Sequence, residues 1–135
     1  MTEIGHGSVI RYSYLWAREH DRGEVAGRKA RPACIMLITR GKGGLETPLF
    51  FPITSRSPGS DTHAVEIPEI EARRARLYSP SWVIVDEFNT DDIATSFAIE
   101  DRQPLGVFSR TFMARIAAAA AAAIRAGQSR NVQRD

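Results

Sequence analysis

Arg31 stands directly before Pro32, at the head of the apolar run Ala33-Cys34-Ile35-Met36-Leu37-Ile38. Proline bars its predecessor from the helical region, so Arg31 is held extended and its side-chain direction is largely set. A guanidinium fixed in this way suits a phosphate, because its planar fork donates two parallel hydrogen bonds and stays charged. A second apolar run, Leu49-Phe50-Phe51-Pro52-Ile53, ends in the hydroxyls of Thr54 and Ser55, and a third, Trp82–Val85, ends in Asp86-Glu87. The first two strand ends are expected to meet, with Arg31 and Thr54 sharing one phosphate. The chemistry on offer is anion binding and stabilisation of charge on phosphorus.

Other chemistries find little support. His6, His20 and His63 are far apart, and no His, Cys, Asp or Glu cluster has metal-ligand spacing. Gly41-Lys42-Gly43-Gly44 matches neither a P-loop nor a dinucleotide fingerprint, and no helix follows it. Ser55 and Ser57 lack the strand–turn–helix context of a nucleophile elbow. Cys34, the single cysteine, lies in a strand pattern and reads as a small buried hydrophobe.

The elements that must carry these residues can be read from periodicity. Val9–Trp16 alternates with aromatic enrichment, which predicts a first strand. Ala17–Lys29 is polar and without an apolar period, and is expected to be a long exposed loop. Ala33–Ile38 is apolar on both faces, the pattern of a strand central to its sheet. Thr39–Pro48, with three glycines, reads as a turn or hairpin connection, and Leu49–Ile53 as a strand in which Pro52 signals a bulge or an edge. Ser55–Thr62 is a loop before a short strand Ala64–Ile67. Pro68 can open a short helix over Glu69–Leu77, with Glu69 and Arg73 an i,i+4 pair. Trp82–Val85 is a further buried strand, and Phe88–Gly106 is expected to hold a turn and one irregular strand around Phe97–Ile99. Ser109 is a fitting N-cap for a helix to about Ala126, stopped by Gly127, with its apolar stripe on Phe112, Ile116, Ala120, Ala123 and Ile124. Residues 1–127 then form one domain and 128–135 a frayed polar tail. The expected class is mainly β (α+β): a small, strongly bent sheet with a C-terminal helix against it.

At 135 residues, with 43% hydrophobic and 25% charged residues, the chain can build one genuine core. Its longest uncharged apolar segment, Ile116–Ile124, is mostly alanine and too short to cross a bilayer, so no membrane role is expected. Its start lacks the pattern of a secretory signal, and together with the single cysteine this makes the cytoplasm the expected compartment. Residues 1–60 hold nine Lys/Arg against five Asp/Glu, whereas residues 61–124 hold six against ten. The basic half contains the Arg31 loop, a modest footprint for a polyanion.

Arg31-Pro32, Thr54-Ser55 and Asp86-Glu87 at three strand ends, preceded by Gly7-Ser8-Val9-Ile10-Arg11-Tyr12, resemble in order and spacing the MazF/PemK/Kid toxins of type II toxin–antitoxin systems. The resemblance covers roughly residues 5–126. It implies an SH3-like barrel, a homodimer, and a metal-independent, cofactor-free endoribonuclease acting on single-stranded RNA. It further implies that Arg31 and Thr54 are catalytic, that Glu24 approximates a loop glutamate of the family, and that Asp86 matches an acidic residue that serves as base in some members. Ser8 replaces the family's usual aspartate, two extra residues precede Arg31, and Ile84 stands where one subfamily has an acid-catalyst arginine.

In such a reaction the ribose 2′-OH is the nucleophile, so the protein must position the chain, take a proton and stabilise the phosphorane. Glu24, Asp86 or His20 could be the general base, and the sequence does not choose among them. Arg18, His20, Arg22, Arg28, Lys29 and Ser55 are candidates for RNA contact. An acidic antitoxin is the expected protein partner, folding on the basic loop and competing with RNA. The competing expectation is a non-catalytic barrel that binds RNA or a protein.

Overall fold

The structure is a computed structural model that describes residues 3–24, 29–40 and 43–134. Eight strands and three helices follow one another among these residues: β1 (Ser8–Tyr12), α1 (Ala17–Asp21), β2 (Arg31–Arg40), β3 (Leu45–Thr54), β4 (Ala64–Glu66), α2 (Glu69–Arg74), β5 (Trp82–Ile84), β6 (Glu87–Thr90), β7 (Gly106–Val107), α3 (Arg110–Arg125) and β8 (Arg130–Gln133). The strands form one curled, mainly antiparallel sheet in the order β4-β5-β3-β2-β1-β7, with β6 on β3 and β8 parallel to β6. The fold is mainly β, as expected.

The long hairpin β2–β3 is the spine, and its registers explain the two-sided core. Val9, Cys34 and Phe51 lie side by side across three strands, and their neighbours Ile10, Ala33 and Ile35 fall on the opposite face by the period-two alternation. On the first face, Met36, Leu49, Ile53 and Val83 join Phe112, Met113 and Ile116 of α3. On the second, Tyr12, Tyr14, Ala33, Ile35 and Phe50 pack with Ala98 and Ile99. The Tyr12 ring stacks on Phe50 with centroids 4.4 Å apart. Burial on both faces is what the unbroken apolar run of β2 demands, and β2 is indeed central.

Several boundaries differ from the sequence reading. β1 ends at Tyr12, and beyond it a buried side chain pairs with the backbone of Leu15: Asn89 Oδ1 accepts from Leu15 N–H at 2.9 Å and its Nδ2 donates to Leu15 C=O at 2.8 Å. A carboxamide thus stands in for a strand edge. The expected loop Ala17–Lys29 opens with α1, whose start is closed by Glu19 Oε1 accepting from Trp16 N–H at 3.2 Å. β2 and β3 extend into the expected turn, to Arg40 and from Leu45, so that hairpin is tighter than the glycines alone suggest.

Pro52 belongs to an inner strand. It falls within the interval Phe51-Pro52, opposite the break between β5 and β6, where that edge of β3 is unpaired. Around Phe97–Ile99 there is one bridge, Tyr12 to Ile99, in place of a strand, while β6 was not anticipated. The frayed tail is also corrected. Residues Arg130–Gln133 are β8, paired with β6, and Val132 is buried against Leu15 and Ala17. The helix expected near the C-terminus is therefore followed by a strand.

Within α3 the buried stripe includes Met113 and excludes Ile124, which is 56% exposed. Ile124 lies at the rim of the apolar arc, in the last turn of the helix. Ser109 caps the helix as expected, its Oγ accepting from Phe112 N–H at 3.1 Å. The same Oγ donates to the buried Glu71 carboxylate at 2.5 Å, and Ser109 N–H donates to that carboxylate at 2.9 Å, which ties α2 to the head of α3. The Glu69–Arg73 pair forms at 2.8 Å on an exposed surface. No helix among the described residues is long and apolar enough to cross a membrane.

Candidate functional site

The β2–β3 register fixes the geometry at the end of the spine. Its last pair is Ala33 opposite Pro52, and Arg31 and Thr54 lie two residues beyond it, one on each strand. Arg31 shares parity with Ala33 and Ile35, and Thr54 with Phe50, so both point to the face that carries Trp16. The two strand ends do meet. They open on a groove of about 880 Å³ into which Asp86 and Glu87 also project from the bend between β5 and β6.

Arg31 is half-buried, and its guanidinium carbon lies 5.1 Å from the centroid of the Trp16 ring. The guanidinium of Arg18, from α1, lies 4.7 Å from the same centroid. Arg31 makes no ion pair among the described residues. Burial lowers its pKa and the nearby Arg18 charge lowers it further, with Glu19 opposing both. Two cations are thus held against one indole, with the Glu19 charge acting on Arg31 and the Glu87 charge near Arg18. The groove as a whole is lined by six cationic side chains, Arg11, Arg18, Lys29, Arg31, Arg56 and Arg76, against two carboxylates. Such a concave, low-dielectric surface concentrates positive potential.

Thr54 turns the chain out of β3: its Oγ1 accepts from Arg56 N–H at 3.1 Å, which leaves its hydroxyl proton to donate. Ser55, exposed, lies beside it on the groove wall. Asp86 has a structural duty, since its Oδ2 accepts from His63 N–H at 3.0 Å at the head of β4. Glu87 Oε1 accepts from Tyr14 O–H at 3.0 Å and from Ala17 N–H at 2.9 Å. Burial raises the Glu87 pKa first and the Asp86 charge adds to it, while the Ala17 and Tyr14 hydrogen bonds and the Arg18 charge act the other way.

Of the residues singled out in the sequence, Arg31, Thr54, Asp86, Arg18, Lys29 and Ser55 line one groove. His20, Arg22 and Glu24 do not line it. His20 and Arg22 are exposed on and just after α1, where the Arg22 side chain turns back to the Arg18 carbonyl at 3.3 Å. Glu24 follows α1, its N–H bonded to the Glu19 carbonyl at 3.1 Å. Arg28 lies outside the described residues. Trp16, Glu87, Arg11, Arg56, Arg76 and Tyr78 are groove residues that the sequence reading did not select. No local motif marks Trp16, whose contacts with Arg18 and Arg31 depend on α1, a segment whose sequence reads as a loop.

Fold and groove together define a small, mainly β protein with a basic cleft at one end of its sheet. Compared with known protein families, with curated proteins and with solved structures, the chain matches none.

Proposed function

We propose that the chain is the toxin of a type II toxin–antitoxin pair, an SH3-like barrel of the MazF/PemK/Kid kind that cleaves single-stranded RNA. The observation that carries this reading is that Arg31 and Thr54, at the ends of β2 and β3, line one basic groove beside the Arg18 guanidinium. RNA brings its own nucleophile. Arg31 clamps the non-bridging oxygens of the scissile phosphate, Thr54 donates a further hydrogen bond, and both bonds strengthen as charge builds on phosphorus. Attack by the 2′-oxygen gives a 2′,3′-cyclic phosphate and releases a 5′-hydroxyl. Arg18, Lys29 and Arg56 follow the flanking backbone, and the exposed Tyr78 ring offers a base a stacking surface.

The test is single-turnover cleavage of a fluorescent single-stranded RNA. Arg31→Ala should slow cleavage by about 10²–10³. Arg31→Lys should recover little of it, because lysine keeps the charge and loses the fork. Thr54→Ala should lose rate without losing fold. Lys29→Ala should weaken binding and leave turnover at saturation near that of the parent. An Arg31→Ala protein that cleaves like the parent would move the active site elsewhere.

A second reading, a groove that binds RNA without cutting it, draws on the hydrogen bonds that already engage Thr54 Oγ1 and Asp86 Oδ2. The same assay separates the two, since a binding module retains affinity and yields no product. An acidic antitoxin segment occupying the Arg18–Arg31 cations would block RNA in either case.

A further inference from the structure

We propose that Glu87 is the general base of the groove, with Tyr14 and the backbone of Ala17 as its positioning groups. This rests on the RNA-cleaving reading above and supplies the proton acceptor that reading lacks. A base needs one oxygen anchored and one open to the proton it takes. Asp86 is anchored by a single donor, His63 N–H on its Oδ2 at the start of β4, whereas Glu87 is held by two donors. Glu87 meets both conditions. Its Oε1 is fixed by two donors, and its Oε2 carries no hydrogen bond among the described residues. The side chain is half-buried, lines the groove that Arg31 and Thr54 share, and belongs to the first residue of β6, a strand rather than a loop.

The surroundings adjust its basicity in opposite directions. Removal from water and the adjacent Asp86 raise the proton affinity of Glu87, while Arg18 from α1 and the Tyr14 and Ala17 donors restrain it. Arg130, at the start of β8, also feels the Glu87 charge. A carboxylate lifted above its usual range is a better proton acceptor.

In the step itself, Glu87 takes the 2′-OH proton as the 2′-oxygen bonds to phosphorus. The P–O5′ bond breaks, the 5′-oxygen takes a proton from water, and Glu87 returns its own to solvent. No oxidant or metal enters the balance.

The experiment is a pH–rate profile under single turnover for the parent, Glu87→Gln, Asp86→Asn and Tyr14→Phe. The affinity of each for an all-2′-deoxy oligonucleotide is measured alongside as a control on fold and groove. The parent should show an acid limb above the ordinary carboxylate range. Glu87→Gln should fall by about 10²–10⁴ and lose that limb while binding the deoxy strand as the parent does. Tyr14→Phe should shift the limb to higher pH, because the lost hydrogen bond favoured the ionised form. A merely structural Glu87 would leave the limb in place when replaced by glutamine. The proposal is overturned if the parent cleaves and Glu87→Gln keeps its rate and limb, or if Asp86→Asn alone abolishes the limb. A parent that cleaves no RNA overturns the RNA-cleaving reading itself, and Glu87 as base falls with it.

Discussion

Trp16 carries two guanidiniums, and that contact does at the residue scale what a carboxylate usually does for clustered arginines. The indole face attracts each cation without neutralising it, so Arg18 and Arg31 are held together with their charge still available to a ligand. Replacing Trp16 with alanine should therefore weaken polyanion binding by about threefold to thirtyfold, the equivalent of one cation–π contact or two. Fluorescence anisotropy with a labelled oligonucleotide reads this directly. Glu87 provides a second prediction at this scale. Its pKa is raised in the fold, so its stabilising contribution is full below the unfolded carboxylate pKa and is lost as pH rises through the folded value. Glu87→Gln keeps an acceptor for Tyr14 and Ala17 and carries no charge. Its thermal midpoint should exceed that of the parent at neutral pH, with the gap closing in the acid range. Arg31 and Thr54 were legible in the sequence because each borders an apolar run, Arg31 at its head and Thr54 at its end. Trp16 and Glu87 were not, because what they face is decided by α1 and by the β5–β6 bend.

The elements around the groove are secured by contacts that span the chain. β8 pairs in parallel with β6, and Arg130 makes a bidentate pair with Asp21 of α1 at 2.8 and 3.0 Å. Arg134, just after β8, donates to the Ser13 carbonyl at 2.7 Å and so braces the segment before Trp16. Removing residues 129–135 should lower the thermal midpoint and weaken anion binding together, although none of the described residues among them lines the groove. A second element-scale prediction concerns β7. A Cβ on Gly106 would stand 2.1 Å from the Arg74 carbonyl oxygen, a backbone atom that cannot step aside without shifting the end of α2. Gly106→Ala should therefore cost about 2–3 kcal/mol or more in denaturant unfolding, well beyond a surface substitution. α3 was readable to within a residue because its cap, alanine run and terminal glycine agree. β8 was hidden because a four-residue strand with one apolar residue, Val132, has no period to detect.

As a whole, the molecule is a sheet covered on both faces whose outermost strands are very short: β4 has three residues and β7 two. Short edges resist ladder extension by another chain. The homodimer that the family resemblance implies would thus have to use side-chain surfaces, and sedimentation at micromolar concentration should show it, a monomer counting against the resemblance. The curl of the sheet was foreseeable from short strands and frequent turns, whereas the parallel β6–β8 pair, which depends on distant contacts, was not. What the curl achieves is to bring the ends of β1, β2, β3 and β5 around one basic groove, and the central claim is that this groove cuts RNA by means of the RNA's own hydroxyl. The most direct measurement compares two oligonucleotides in excess EDTA, identical except that one carries a single deoxyribose 5′ to the scissile phosphate. The all-ribose strand should be cleaved to a cyclic phosphate and a 5′-hydroxyl, and the substituted strand should bind equally well and stay intact at that bond. Equal cleavage of both strands, or cleavage that EDTA abolishes, would contradict the account.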